Sequence, residues 1–290
     1  MKILVAIPSC HKFDVKWSVN GTSERRHGAV NERVQVVRET WARNLDIRSD
    51  IDFRIFYGYG AVRKMRTDEV LLSVDDSYRG LPFKVQRIFK WALERGYDAV
   101  LKVDDDTFIS RDVIKGLGVD ADYIGYSSDT AITLYSDWLT SDLKEKLLAF
   151  GQGYACGGMY YVHRRAMEIL VRTKITEKSF QFLGINSLSD KNAPVPPCED
   201  AWVGYTLFQA GIQVTHDPKY AGFTSDADVI KARLQPLFDA SARGTLTDND
   251  FRMYLALAPC LHFNVTADDM RRLYREENEN LDRCHSLSQV

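Results

Sequence analysis

Two rhythms of apolar positions alternate along the chain. Short, nearly continuous apolar runs at 3–7, 51–57, 70–74, 98–103, 123–126, 158–162 and 212–215 read as strands. Between them apolar residues recur in steps of three or four, as at Val30, Val34, Val37, Trp41 and Leu45. The same step returns at Leu81, Val85, Ile88, Phe89, Ala92 and Leu93, and Gly96 supplies a stop. Such steps mark one face of a helix. Further helices are predicted over 164–172 and 201–210, the second closed by Gly211. Strands alternating with helices predict an α/β fold with a mainly parallel central sheet flanked by helices.

After Thr224 the alternation lapses. Residues 229–238 and 248–257 read as helices and the chain beyond Arg271 as a polar tail, while 193–198, with three prolines, must be an irregular loop. The pattern divides the chain into a core over 1–224 and a C-terminal helical segment, 225–290, that completes the same domain.

Composition narrows the classes. The 290 residues are 45% hydrophobic and 27% charged, ordinary for a globular chain with one large core. A formal charge of -2 argues against a surface that is a nucleic-acid footprint throughout. No apolar run approaches the roughly eighteen residues of a membrane span, so a soluble protein without an integral membrane segment is expected. The five cysteines show no CxxC spacing, which argues against structural zinc and a disulfide framework and predicts reduced, cytoplasmic thiols.

The chemistry concentrates at two acidic sites. Asp104, Asp105 and Asp106 follow the predicted strand 98–103 directly. The carboxyl end of a strand is where α/β sheets place ligands. Strand alternation predicts that Asp104 and Asp106 share one cleft while Asp105 turns away. Clustered carboxylates suit a hard divalent cation such as Mn2+ or Mg2+, shared with substrate phosphates. A solvated acidic turn is the plain alternative. Glu199 and Asp200 stand before a helix, where a carboxylate serves either as a cap or as a general base.

Five segments resemble the β-1,3-galactosyltransferase and Fringe-type glycosyltransferases in order and approximate spacing. They are VVRETWARN at 36–44, DSYRGLPFK at 76–84 with VLKVDDDTF at 100–108, GYACGGMYYVHRRA at 153–166, CEDAWVGYTLFQAGI at 198–212 and CLHFNVTADDMRRLY at 260–274. The resemblance implies a GT-A fold, Rossmann-like, and inverting transfer of a hexosyl or pentosyl group from a UDP-sugar to an acceptor hydroxyl. It implies a divalent ion, commonly Mn2+, on the acidic motif, with Asp106 as direct ligand and Asp104 nearer the nucleotide. Asp200 falls on the base, and His262 on a C-terminal histidine that helps to hold the metal, His216 being a second candidate. Arg38, Lys84, Lys102 and Asp105 fall on donor-side positions, where a diphosphate needs charge-assisted donors. The family often carries an arginine four residues before Arg38; here Val34 stands there and Arg33 is displaced by one.

The family's usual membrane anchor is missing from this sequence, which implies a bacterial, phage or viral enzyme acting in the cytosol; a trimmed chain would look the same. The acceptor is a glycan or another hydroxyl compound. With a phage source, hydroxymethylated DNA joins that set, because Arg25, Arg26, His27 and Arg33 supply positive charge beside the expected cleft. Two other classes fit the same residues: a nucleotide-sugar hydrolase or pyrophosphorylase attacking phosphorus, and a sugar-nucleotide binding module without turnover.

Overall fold

A computed structural model of the chain describes residues 1–10, 29–59, 65–127, 154–176, 179, 199–220, 243 and 267–287. Its centre is a seven-stranded sheet. In chain order the strands are β1 (Ile3–Pro8), β2 (Ile51–Tyr57), β3 (Glu69–Leu71), β4 (Ala99–Val103), β5 (Tyr123–Ser127), β6 (Ala155–His163) and β7 (Thr215–His216). Across the sheet they lie in the order β3-β2-β1-β4-β6-β5-β7. The pairs β2–β3, β1–β2, β1–β4 and β5–β7 are parallel, whereas β6 runs antiparallel to both β4 and β5. The α/β class and the mainly parallel sheet flanked by helices are therefore present.

Alternate residues of the central strands feed two cores. Leu4, Ala6, Phe56 and Val100 face one side, with Val85, Ile88 and Phe89 of α2 (Leu81–Glu94), Met167 of α4 (Arg164–Arg172) and Trp202 of α5 (Glu199–Gln209). Ile3, Val5, Ile7, Ile55 and Leu101 face the other side, with Val34 and Val37 of α1 (Ala29–Glu39), Trp41 of a 3-10 helix (Trp41–Ile47), Val113 of α3 (Arg111–Gly116) and Met270 of α6 (Ala267–Leu287). A sheet covered on both faces explains why β1 is apolar at every position rather than at every second one.

Four elements depart from the sequence pattern. The helix face running from Val34 to Leu45 is carried by two segments, because the Thr40 hydroxyl donates to the Val36 carbonyl (2.7 Å) and the chain tightens into the 3-10 turn. The strand predicted at 70–74 starts at Glu69 and stops at Leu71, since the Val74 amide donates to the Leu72 carbonyl and turns the chain. The strand predicted at 212–215 is only Thr215–His216. Gly211 adopts φ 79° and the Ile212 amide still donates to the Leu207 carbonyl, so these residues finish α5. The polar tail after Arg271 belongs to the 21-residue α6, which buries Met270 against α1 and carries an i,i+4 pair, Arg272 with Glu276. The helices predicted at 229–238 and 248–257 lie outside the described residues.

Candidate functional site

The acidic run sits where β4 leaves the sheet. The Asp104 amide donates to the Gly158 carbonyl of β6, and the Thr107 amide returns to the Asp104 carbonyl (3.2 Å), making Asp105 and Asp106 the centre of a tight turn. Trp41 secures that turn from the α1 side, its indole N–H donating to the Thr107 carbonyl (3.0 Å). Strand alternation therefore ends one residue too early for the arrangement predicted from sequence. Asp105 does not turn away from Asp106: the two share the Arg33 guanidinium, Nη1 standing 3.4 Å from Asp106 Oδ2 and 3.6 Å from Asp105 Oδ1. Burial, then the Asp106 charge, lifts the Asp105 carboxyl to about 7, against the opposing pull of Arg33 and the Ser9 hydroxyl.

Asp104 belongs to a different network. Lys102, wholly buried in β4, places Nζ 2.6 Å from Asp104 Oδ1 and 3.4 Å from Glu199 Oε2, and donates to the Gly157 carbonyl. Burial pulls the Lys102 ammonium down; Asp104 and Glu199 outweigh it and hold Lys102 well above the ordinary lysine range. Glu199 Oε1 also accepts from the Tyr160 hydroxyl. Burial, reinforced by Asp200 and Asp104, raises the Glu199 carboxyl to about 7, with Lys102 and Tyr160 acting the other way. Asp200 follows in the first turn of α5, itself buried, its Oδ1 accepting from the Ala201 amide (2.8 Å). Lys102 thus ties the end of the central strand to the helix that carries the second acidic site.

A third group lines the ends of β1 and β2. Lys84, near the start of α2, is buried and donates to the Ser9 carbonyl (2.7 Å) and to Asp76 Oδ1 (2.6 Å), which also accepts from the Gly58 amide. A Cβ on Gly58 would come within 2.6 Å of the Val74 carbonyl oxygen, so this approach requires glycine. The Ser9 hydroxyl donates to Asp105 Oδ2 (2.7 Å), which joins the Lys84 group to the acidic turn. Cys10, beside Ser9, is a free thiol pushed up to about 12, mainly by burial and then by Asp105. Such a thiol is a poor nucleophile at neutral pH.

Arg38 is not brought to this site. Five residues beyond Arg33, it lies ~7.5 Å further along α1 and faces another way. Its Nε donates to Asp68 Oδ2 (2.7 Å) and its Nη2 to Glu69 Oε1 (2.6 Å), at the start of β3. His216 pairs with β5, its Nδ1 accepting from the Ser127 amide (3.1 Å) against the Tyr126 ring. Its Nδ1 is thereby committed to the backbone of β5. His262, Arg25, Arg26 and His27 lie outside the described residues.

Three solved structures are similar to this chain at a low level. A glycosyltransferase involved in glycosylation of the major capsid of PBCV-1 is 12% identical, with a TM-score of 0.36 over 75% of this chain and 81% of that one. A Desulfovibrio desulfuricans G20 protein described as a nucleotide-diphospho-sugar transferase is 13% identical, with a TM-score of 0.39 over 86% and 100%. A CMP:2-keto-3-deoxy-manno-octonic acid synthetase in complex with CTP is 10% identical, with a TM-score of 0.38 over 84% and 100%. No family model and no curated protein sequence matches the chain. At these values the α/β assignment rests on the strand order of the chain itself.

Among the described residues no group of three or more His, Cys, Asp or Glu is arranged as a metal site, and no helix is long and apolar enough to cross a membrane. By chemistry alone Asp104, Asp105 and Asp106 offer only oxygen ligands, the kind a hard cation takes. Sequence reasoning passed over Ser9, Asp76, Tyr160 and the pairing of Glu199 with Lys102. Arg33 was visible as a displaced arginine. Tyr160 had no signal, because its place opposite Lys102 depends on an antiparallel register that no local pattern encodes.

Proposed function

We propose that the protein is an inverting, metal-dependent glycosyltransferase of the β-1,3-galactosyltransferase and Fringe type, transferring a sugar from a UDP-sugar to an acceptor hydroxyl. One observation supports this reading above the others: the acidic turn at the end of β4 and the Asp200-bearing start of α5 are linked through a single buried ammonium, Lys102. In this reading the acid group that would hold the metal is at the end of β4 and the separate carboxylate is on α5, the helix packed against neighbouring β6, which suits the division of labour that inversion needs.

In this reading Asp104 and Asp106, with His262, hold the divalent ion, and Asp105 supports them through Ser9. A bound ion supplies positive charge against the donor diphosphate. Lys84 keeps the ends of β1 and β2 in place on the donor side, and Arg33 offers the diphosphate a charged fork. Asp200 accepts the acceptor proton as the hydroxyl oxygen attacks the anomeric carbon and the nucleotide diphosphate leaves from the opposite face. Residues 225–290 complete the same domain.

The test is single-turnover kinetics with Mn2+ and a panel of UDP-glucose, UDP-galactose, UDP-N-acetylglucosamine and UDP-xylose, products being identified by mass. UDP with a glycoside or free sugar supports transfer; UMP with a sugar phosphate would assign attack at phosphorus instead. Asp200→Asn should keep Mn2+/UDP affinity and lower turnover by roughly a hundredfold or more. Near wild-type turnover would reduce Asp200 to a helix cap.

A further inference from the structure

We propose that Glu199 and Tyr160 form, with Lys102, a buried clamp that positions Asp200, so that the residue preceding the base is part of the transfer machinery rather than a helix cap. The inference rests on the reading of Asp200 as the base and extends it to its neighbour Glu199 and to Tyr160, which the sequence did not single out.

The geometry is specific. Lys102 and Tyr160 are direct cross-strand partners on β4 and β6, and their side chains emerge on the same face of the sheet. Both polar ends reach Glu199, the hydroxyl to one carboxylate oxygen and the ammonium to the other. Glu199, Tyr160 and Lys102 are each at most 4% exposed. A capping residue would hold its own helix amides and could do so in water. Glu199 instead reaches into the sheet, where burying three polar side chains is costly unless each finds its partner.

Two attachments fix both the depth and the rotation of the first turn of α5, and Asp200 is the next residue on that turn. Lys102 also holds Asp104, so the clamp sets the distance between the acidic turn and Asp200 through a single ammonium. A displacement of ~1 Å at a reacting group can cost on the order of a hundredfold in rate, so a device that removes play at this seam acts on turnover.

The test uses Glu199→Gln, which keeps an acceptor for Tyr160 but loses the charge facing Lys102, and Tyr160→Phe, which removes only the hydroxyl. Each is made in the wild type and in Asp200→Asn. Turnover is read as UDP release from the four UDP-sugars with Mn2+, and binding as UDP affinity in the presence of Mn2+. The clamp predicts a loss in kcat of roughly tenfold to a hundredfold for each single variant, with UDP affinity within about twofold. It predicts no further loss in the Asp200→Asn background, because a positioning residue has nothing left to position.

Wild-type turnover in Glu199→Gln and Tyr160→Phe, with Asp200→Asn inactive, would overturn the clamp and leave the proposed function standing. An equal further loss in the Asp200→Asn background would also overturn it, since the effect would then not pass through Asp200. Asp200→Asn turning over like wild type, or a wild type that releases no UDP from any of the four donors, would remove the base itself and the clamp with it. Should Glu199→Gln fail to fold, Tyr160→Phe carries the same comparison.

Discussion

Asp105 and Asp106 show how much a single turn can change the meaning of three identical residues. The turn closed by Thr107 sets Asp105 and Asp106 together on Arg33 and Asp104 on Lys102, while the charges of Asp106 and Asp104 still act on Asp105. Asp106→Ala should therefore abolish Mn2+-dependent UDP binding in calorimetry, while His262→Ala should weaken it less, since other ligands and waters remain. Unchanged affinity in Asp106→Ala would remove Asp106 from the metal set. Glu199 makes a prediction about pH. Its carboxyl rises on folding from an ordinary 4.5 to about 7, so between those values the folded chain holds a proton that the unfolded chain has lost. Stability then falls as pH rises. Relative to Glu199→Gln, the wild type should be most stable below about pH 4.5 and should lose that advantage as pH passes through about 7. Parallel melting temperatures for the two proteins from pH 4 to 8 would contradict the assignment.

At the scale of the element, periodicity was informative wherever one side chain pattern served one purpose. Strand β2 and helix α4 lie where the apolar residues place them, at Ile51–Tyr57 and Arg164–Arg172. Strands β3 and β7 were misplaced because both are sheet edges of two or three residues, where a turn or a helix end decides the boundary more than burial does. Helix α6 was hidden by its polarity. Much of its attachment is through hydrogen bonds, Glu277 accepting from Asn44 (3.2 Å) and from the Arg111 amide (2.7 Å), and a hydrophobic pattern does not record these. The candidate site was legible as far as its acids, Asp104 to Asp106 following a strand run directly and Glu199 and Asp200 opening a helix; their partners come from other elements and were not.

Arg38 illustrates the difference between a motif and a contact. Its ion pairs with Asp68 and Glu69 join α1 to β3, and the Glu69 carboxylate is fully shielded from solvent. Arg38→Met should cost ~3 kcal/mol in denaturant unfolding by removing the guanidinium paired with that buried carboxylate. UDP affinity with Mn2+ should change by less than about twofold if the arginine serves the fold; a tenfold loss would return it to the donor side.

Across the whole molecule, the sheet divides at the β4–β6 seam. The parallel side, with α1 and α2, carries Ser9, Arg33, Lys84 and the acidic turn; the other side contributes Tyr160, Glu199 and Asp200. The position of Arg33 across Asp105 and Asp106 has a consequence for the order in which ligands are taken up. A cation arriving alone must compete with a guanidinium that already neutralises part of the acid, and a diphosphate arriving alone meets carboxylates. When both arrive, Arg33 and the acids can exchange counter-ions and every charge is matched. Nucleotide and metal should then bind with mutual reinforcement: saturating Mn2+ should tighten UDP at least tenfold, and UDP should tighten Mn2+ by the same factor, as reciprocity requires. Arg33→Ala should bind Mn2+ alone more tightly than wild type and show a smaller coupling. Independent binding in the wild type, seen as identical UDP isotherms with and without Mn2+, would show that the arginine is not the exchangeable partner of the acids.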